Sequence, residues 1–262
     1  MIDLMTQSGR DALAELIEAG AVFGFDFDGT LAPICPLPDQ VSMAPAIADA
    51  FTELTARLPV ALITGRSIAD VRPRVVGSPR WVVGNHGVEG MPGVDAAMLA
   101  QHIATSRAWQ AQLAAAGPLG EGTFVEDKTY TLCLHYRLAP DQEAARAQLL
   151  ARVAQLDPQP HIVTGKCVLN LLPQGSADKF IALERLAADY GGGRAFFIGD
   201  DDTDESVFRR APASWVTVRV GSDKPSAARF VVPDQLSVRG VLELLLELSA
   251  GRQGDGAPAR IT

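Results

Sequence analysis

The chain has 262 residues, 47% of them hydrophobic, which is enough for one large or two modest domains with a substantial core. Its formal net charge of -8 speaks against nucleic acid or an anionic membrane surface as a partner, while leaving room for a local cationic site that takes a small anion. No run reaches the roughly 18 to 20 apolar residues of a membrane span, the first 20 residues lack a signal-peptide pattern, and Cys35, Cys133 and Cys167 are odd in number and form no metal pattern. The expectation is a cytoplasmic protein with no obligate protein partner evident.

Taken in chain order, the N-terminus reads as a short amphipathic helix with Leu13, Leu16 and Ile17 on one face. The apolar run 21–25 then reads as a buried parallel strand that ends in Asp26-Phe27-Asp28-Gly29-Thr30. In open α/β sheets that end is where ligands bind, and two carboxylates there repel each other unless a cation or a protonation change relieves them. The alternative is an Asp-Gly turn, which needs only one Asp. Helical spacing of Ile47, Phe51, Leu54 and Leu58 predicts a helix, followed by a strand at 60–62 leading into Ile63-Thr64-Gly65-Arg66. Thr64 could present its hydroxyl, with the following N–H of Gly65, to a phosphoryl oxygen. An ordinary helix N-cap is the alternative, and Ser67 with Asp70 three later fits that role better.

The 36 positions from Asp28 to Thr64 hold a loop, a helix and a strand and nothing larger. The 115 positions from Thr64 to Lys179 far exceed one crossover. An inserted domain therefore follows the short strand 81–83. Within it, 98–113 and 141–156 read as helices, and 123–126, 129–137, 161–163 and 168–172 as strands, the clearest being the alternation of Tyr130, Leu132, Leu134 and Tyr136. The expected fold is α/β: a doubly wound (Rossmann-like) parallel-sheet core from residues 1–90 and 173–262, with an inserted α+β cap at 91–172.

Lys179 stands near the start of a helical segment, where the helix dipole opposes a cation unless both face one anion. A solvated surface lysine is the alternative. The run 196–198 predicts a strand that ends in Asp200-Asp201-Asp202-Thr203-Asp204-Glu205, a carboxylate cluster suited to magnesium, which prefers oxygen ligands. A solvated acidic loop is the competing reading. The last residues, 250–262, read as a frayed tail.

Asp-x-Asp-Gly-Thr, Thr64-Gly65-Arg66, Lys179 and the Asp200 cluster, in that order, resemble the motifs of the haloacid dehalogenase-like superfamily of aspartate-nucleophile phosphatases. Gly84-Asn85-His86-Gly87-Val88-Glu89, Val125-Glu126-Asp127-Lys128 and His135-Tyr136-Arg137 further resemble the trehalose-6-phosphate phosphatase family. The resemblance implies Asp26 as nucleophile, Asp28 as acid and base, and Thr64 and Lys179 at the phosphoryl group. It implies Mg2+ on Asp26, Asp200 and the Asp28 backbone carbonyl, with Asp204 behind the metal or capping the next helix. The phosphorylated disaccharide would meet Gly65, Arg66, Asn85, His86, Glu126, Lys128, Lys166 and Asn170. Glu126 and Lys128, two apart on a strand, share one face, although an ion pair between them is the plain alternative.

One segment departs from the family pattern, Gly-Lys-x-x-x-Glu-x-Arg-Pro. Here Lys166 is kept, but Asn170 replaces the Glu and Leu172 the Arg. These departures leave other glycosyl phosphates, such as sucrose or glucosylglycerol phosphate, as competing substrates. A phosphosugar mutase would use the same two aspartates, and a catalytically silent phosphosugar-binding regulator would be marked by loss of Asp26, Asp28 or Lys179, all of which are present.

Overall fold

A computed structural model describes residues 1–35 and 40–250. The tail expected to fray therefore lies, from residue 251 on, outside the described residues. In chain order the first four strands are β1 (Ile2–Asp3), β2 (Val22–Phe25), β3 (Val60–Ile63) and β4 (Trp81–Val83). The next four are β5 (Phe124–Asp127), β6 (Leu132–His135), β7 (His161–Gly165) and β8 (Val168–Leu172). Three more, β9 (Ala195–Gly199), β10 (Val216–Val220) and β11 (Phe230–Val232), complete the set.

The strands form two sheets. Seven run β1-β11-β10-β9-β2-β3-β4, and every pairing among them is parallel. The other four run β5-β6-β8-β7 and pair antiparallel. Strand β2 lies inside the larger sheet beside the central β9, with the chain winding outward from β2 to β4 on one side and from β9 to β11 on the other. This is the reversal of strand order at which open α/β sheets form a crevice at their carboxyl ends. The expected doubly wound core with an inserted α+β unit is what the chain adopts.

Helices cover both faces of the large sheet, as a parallel sheet requires. On one face α1 (Gln7–Glu18), α2 (Pro45–Arg57) and α8 (Val238–Ala250) bury Leu13, Leu16, Phe51, Leu54, Val241 and Leu245 against Phe23 and Phe25. On the other, α6 (Lys179–Tyr190) and α7 (Glu205–Arg210) pack Leu183, Leu186 and Phe208 against Val22 and Phe197. The smaller sheet has a core of its own, in which Trp109 and Leu113 of α4 (Ala96–Ala115) and Leu149 of α5 (Gln142–Val153) meet Leu132, Leu134, Leu169 and Leu171. Helix α5 is capped by Asp141, whose carboxylate accepts the Ala144 N–H.

One strand is shorter than its pattern predicts. Of 129–137 only Leu132–His135 is strand. Thr129 takes φ 72°, and its N–H donates to the Asp127 carboxylate at 2.7 Å. The turn joining β5 to β6 therefore absorbs Tyr130, whose alternation with Leu132 is accidental. Periodicity also leaves the chain beyond the acidic cluster unread, where the structure adds β10, β11 and α8.

Candidate active site

Three strand tips build the site. Asp26 follows β2, Thr64 follows β3 and Asp200 follows β9, all at the carboxyl edge of the sheet. Asp26, Thr64 and Asp200 are buried, at 4%, 1% and 6% exposure. Such burial is tolerable for charges only where each has a partner.

Lys179 supplies that partner. As the first residue of α6 it is 3% exposed, and its ammonium donates at 2.7 Å to both Asp26 Oδ1 and Asp204 Oδ1. The opposing helix dipole is offset by these two carboxylates, while Asp178 caps the helix through the Ile181 N–H. Lys179 is thus a buried cation at Asp26 rather than a solvated one. Burial pushes the Asp26 carboxyl well above the usual carboxylate range; Lys179 opposes this, and Asp204 and Asp200 add to it. Asp200 is likewise pushed up to about 6, by burial first and by Asp204, against the pull of Lys166.

This excess of negative charge fits a divalent cation. Asp26, Asp200 and Asp204 carry carboxylate oxygens within 4.8 Å of one another. Asp200 Oδ1 is buried with no hydrogen-bond partner among the described residues, although Oδ2 takes the Lys166 ammonium at 2.9 Å. Asp204 is already committed, since Oδ1 accepts from Lys179 and Oδ2 from the Asp201 N–H at 2.9 Å. It makes no side-chain cap on α7. The oxygens best free for a metal are therefore those of Asp26 and Asp200. Gly29 closes the cradle: at φ +82° a Cβ there would lie 2.2 Å from Asp200 Oδ2.

Asp28 is held differently. Arg66 Nε and Nη2 donate to its two oxygens at 2.7 and 2.8 Å, and Arg66 Nη1 donates to Asp70 at 2.6 Å. Arg74 donates to the other Asp70 oxygen at 2.7 Å. Arg66 is therefore a fork that fixes Asp28, a role beyond the direct substrate contact expected of it. Asp70, which no motif singles out beyond helix capping, anchors that fork. Thr64 Oγ1 accepts the Arg66 N–H at 3.2 Å, and Ser67 caps the following helix as expected.

Above these groups lies a cavity of about 240 Å³ between the two sheets. From the core it is lined by Asp28, Gly65, Arg66, His86 and Asp200, and from the smaller sheet by Glu126, Lys128, Lys166 and Asn170. Residues as far apart as 28 and 200 therefore share one cavity wall. His86 adopts φ 60°, and its Cε1 would be 2.5 Å from a Cβ on Gly65, so only glycine admits the ring there. Burial, with Lys179 and Lys128 nearby, pushes the imidazole down to about 3 and keeps it neutral. Neither ring nitrogen has a hydrogen-bond partner among the described residues. Glu126 bonds His135 at 2.7 Å and stands 4.0 Å from Lys128, whose ammonium donates to the Gly65 carbonyl at 3.1 Å. The ion pair weighed from sequence is thus loose, and the tight partner of Glu126 is His135.

Asn85 does not line the cavity. It is fully buried; its amide donates to Glu89 and to the Lys128 carbonyl, and its oxygen accepts from Thr131. It fastens the core to the smaller sheet, in place of the substrate contact expected. Asn170 borders the cavity, but its oxygen accepts from the Cys133 thiol at 2.9 Å and its amide donates to the Val163 carbonyl at 3.1 Å. Ile34, Cys35, Arg137 and Asp201 also line the wall; Arg137 and Asp201 lie within sequence motifs that assign them no substrate contact, and Ile34 and Cys35 belong to no motif.

A family model described as trehalose-phosphatase matches residues 24–235, which takes in every group just placed. The chain belongs to the trehalose-phosphatase family. Within that family's reach, a probable trehalose-phosphate phosphatase of Sinorhizobium fredii is 31% identical over 92% of this chain and 94% of its own length. An uncharacterized glycosyl hydrolase of Mycobacterium tuberculosis is 35% identical over 80% of this chain, and the chain spans only 17% of that relative's length. In fold, the C-terminal domain of trehalose-6-phosphate phosphatase from C. albicans superposes with a TM-score of 0.68 at 20% identity, over 92% of this chain and 97% of that one. No helix among the described residues is long and apolar enough to cross a membrane.

Proposed function

We propose that the protein is a magnesium-dependent phosphatase that hydrolyses trehalose 6-phosphate to trehalose and inorganic phosphate, acting in the cytoplasm. The observation that carries this reading is the Asp26 carboxylate, held at 2.7 Å by buried Lys179 and neighboured by Asp28 and Asp200, which line a two-sheet cavity, in a trehalose-phosphatase family chain. Residues 1–90 and 173–262 are the catalytic core in this reading, and residues 91–172 are the cap that selects the sugar.

Asp26 attacks phosphorus, and the bond to the sugar oxygen breaks as an aspartyl-phosphate forms. Asp28, with one oxygen freed from the Arg66 fork as substrate enters, gives its proton to the departing oxygen, then takes one from the water that attacks phosphorus and frees Asp26. Lys179 and the Thr64-Gly65 tip hold the phosphoryl oxygens. Asp26, Asp200 and the Asp28 backbone carbonyl would hold magnesium, which would supply neutralisation of the negative charge that gathers as the carboxylate meets the phosphate dianion. Exhaustive chelation is expected to remove activity and magnesium to restore it, with Asp200→Ala raising the magnesium needed; phosphate release after dialysis against chelator is the check, and full activity there counts against metal assistance.

Glu126, Lys128, His86 and Lys166 face the sugar. Glu126→Ala and Lys128→Ala are expected to lower kcat/KM for trehalose 6-phosphate at least about tenfold more than for a small aryl phosphate, because remote sugar contacts align the phosphoryl group only in the larger substrate. Equal losses on both substrates would mean that these residues merely join cap to core. A second sugar is favoured by one observation: the Asn170 oxygen accepts from Cys133 and one of its N–H groups donates to Val163, so part of its bonding capacity is turned into the cap sheet instead of toward substrate. Phosphate release measured across trehalose, sucrose and glucosylglycerol phosphates decides between them, and release from none of them would sink the phosphatase reading.

A further inference from the structure

The cap sheet carries a second set of ligating side chains, of different chemistry from the core carboxylates. Glu126 on β5 stands opposite Cys133 on β6 in the antiparallel register. Cys133 and His135, two apart on one strand, share a face. A Glu126 oxygen, the Cys133 sulfur and a His135 nitrogen lie within 4.8 Å of one another. Cys133 is fully buried, while the Glu126 and His135 side chains are 44% and 20% exposed. The group thus has a closed floor and an open rim, and its rim belongs to the cavity wall through Glu126.

A cation already sits against this group. The Lys128 ammonium lies 4.0 Å from Glu126. Burial works against its charge, yet Cys133 and Glu126 hold its pKa above the ordinary lysine value. The set is one carboxylate, one thiol and one imidazole, with no free oxygen cage. Sulfur and imidazole donors favour zinc over magnesium, and three protein ligands leave a fourth, open position. The all-oxygen pair Asp26 and Asp200 has the opposite preference.

We propose that Glu126, Cys133 and His135 bind a thiophilic divalent cation, Zn2+, separately from the core carboxylates, and that its binding closes the sugar cavity. Binding breaks the Cys133 hydrogen bond to the Asn170 oxygen, releases the thiol proton to solvent and opens the His135–Glu126 hydrogen bond. Bonds from the metal to sulfur, nitrogen and oxygen form, with water in the fourth position and no change of oxidation state. Lys128 must swing out, and Glu126 is withdrawn from the substrate. The closure half rests on the function proposed above; the binding half does not.

The test uses Co2+ as an absorbing stand-in for zinc, on the full chain with magnesium in excess. One equivalent is expected to give a thiolate-to-cobalt charge-transfer band that disappears in Cys133→Ser and shifts or weakens in His135→Ala, but persists in Cys35→Ser and Asp200→Asn. Zinc is then expected to raise KM for the phosphosugar with little change in kcat, and the half-inhibiting concentration to rise at least about tenfold in Cys133→Ser, which is about 1.4 kcal/mol of metal affinity. No band in the wild type, or one that survives Cys133→Ser or vanishes in Cys35→Ser, overturns the site. A band with inhibition unchanged by Cys133→Ser overturns the closure. Because the band needs no turnover, failure of the phosphatase reading leaves the binding result intact.

Discussion

Asp26→Asn is expected to stop turnover, with phosphate release falling by at least about a thousandfold, the scale of losses on removing a chemical group from an active site. An amide cannot attack phosphorus as a carboxylate does. The fold should persist, because Lys179 keeps Asp204 at 2.7 Å and the neutral amide removes a carboxyl that burial already disfavours as an anion. Phosphate release by the purified variant, beside its urea unfolding midpoint, checks both halves. Activity within tenfold of wild type would place the nucleophile elsewhere.

Lys179→Ala should fail on both counts. It strands two carboxylates, Asp26 and Asp204, that are buried at 4% and 0% exposure and share this one ammonium. Removing one partner from a buried ion pair costs about 3–5 kcal/mol, because the remaining charge stays out of water. The variant is expected to lose that much unfolding free energy and nearly all activity. Adding Asp204→Asn should recover part of the stability without recovering turnover, since one of the stranded charges is gone while the phosphoryl group still lacks its cation. Urea titration of the single and double variants measures the recovery. A single variant as stable as wild type would mean that the carboxylates find water or another cation.

The contrast between these residues marks how far the sequence reaches. Asp26 and Asp28 are legible because an apolar run closing in Asp-x-Asp-Gly-Thr encodes strand, tip and charge within ten residues. Asp200 is legible for the same reason. Lys179 reads locally as a lysine near a helix start, resemblance alone assigns it to the phosphoryl group, and the tertiary fold makes it the partner of a carboxylate 153 positions away. Arg66 belongs to a strand-tip motif, yet its grip on Asp28, 38 positions off, depends on β2 and β3 lying side by side.

The cap divides in the same way. Alternation finds β8 and all of β6 but runs through the β5–β6 turn, because a turn residue can match the pattern by chance while a positive φ at Thr129 leaves no hydrophobic trace. Asn85 carries a family motif, yet it ends in a buried junction, since its partners Lys128 and Thr131 come from the hairpin turn folded over it. The amino-acid sequence by itself determined the doubly wound core, the place of the insertion and the carboxylates at the strand tips, because local hydrophobic patterning and the register of chemical groups along a strand are written in neighbouring residues. Only the tertiary structure decided which cation neutralises Asp26, which fork aims Asp28 and which side chains of the cap reach the cavity. Those pairings arise when distant segments close together and each buried charge must find the partner that water no longer provides.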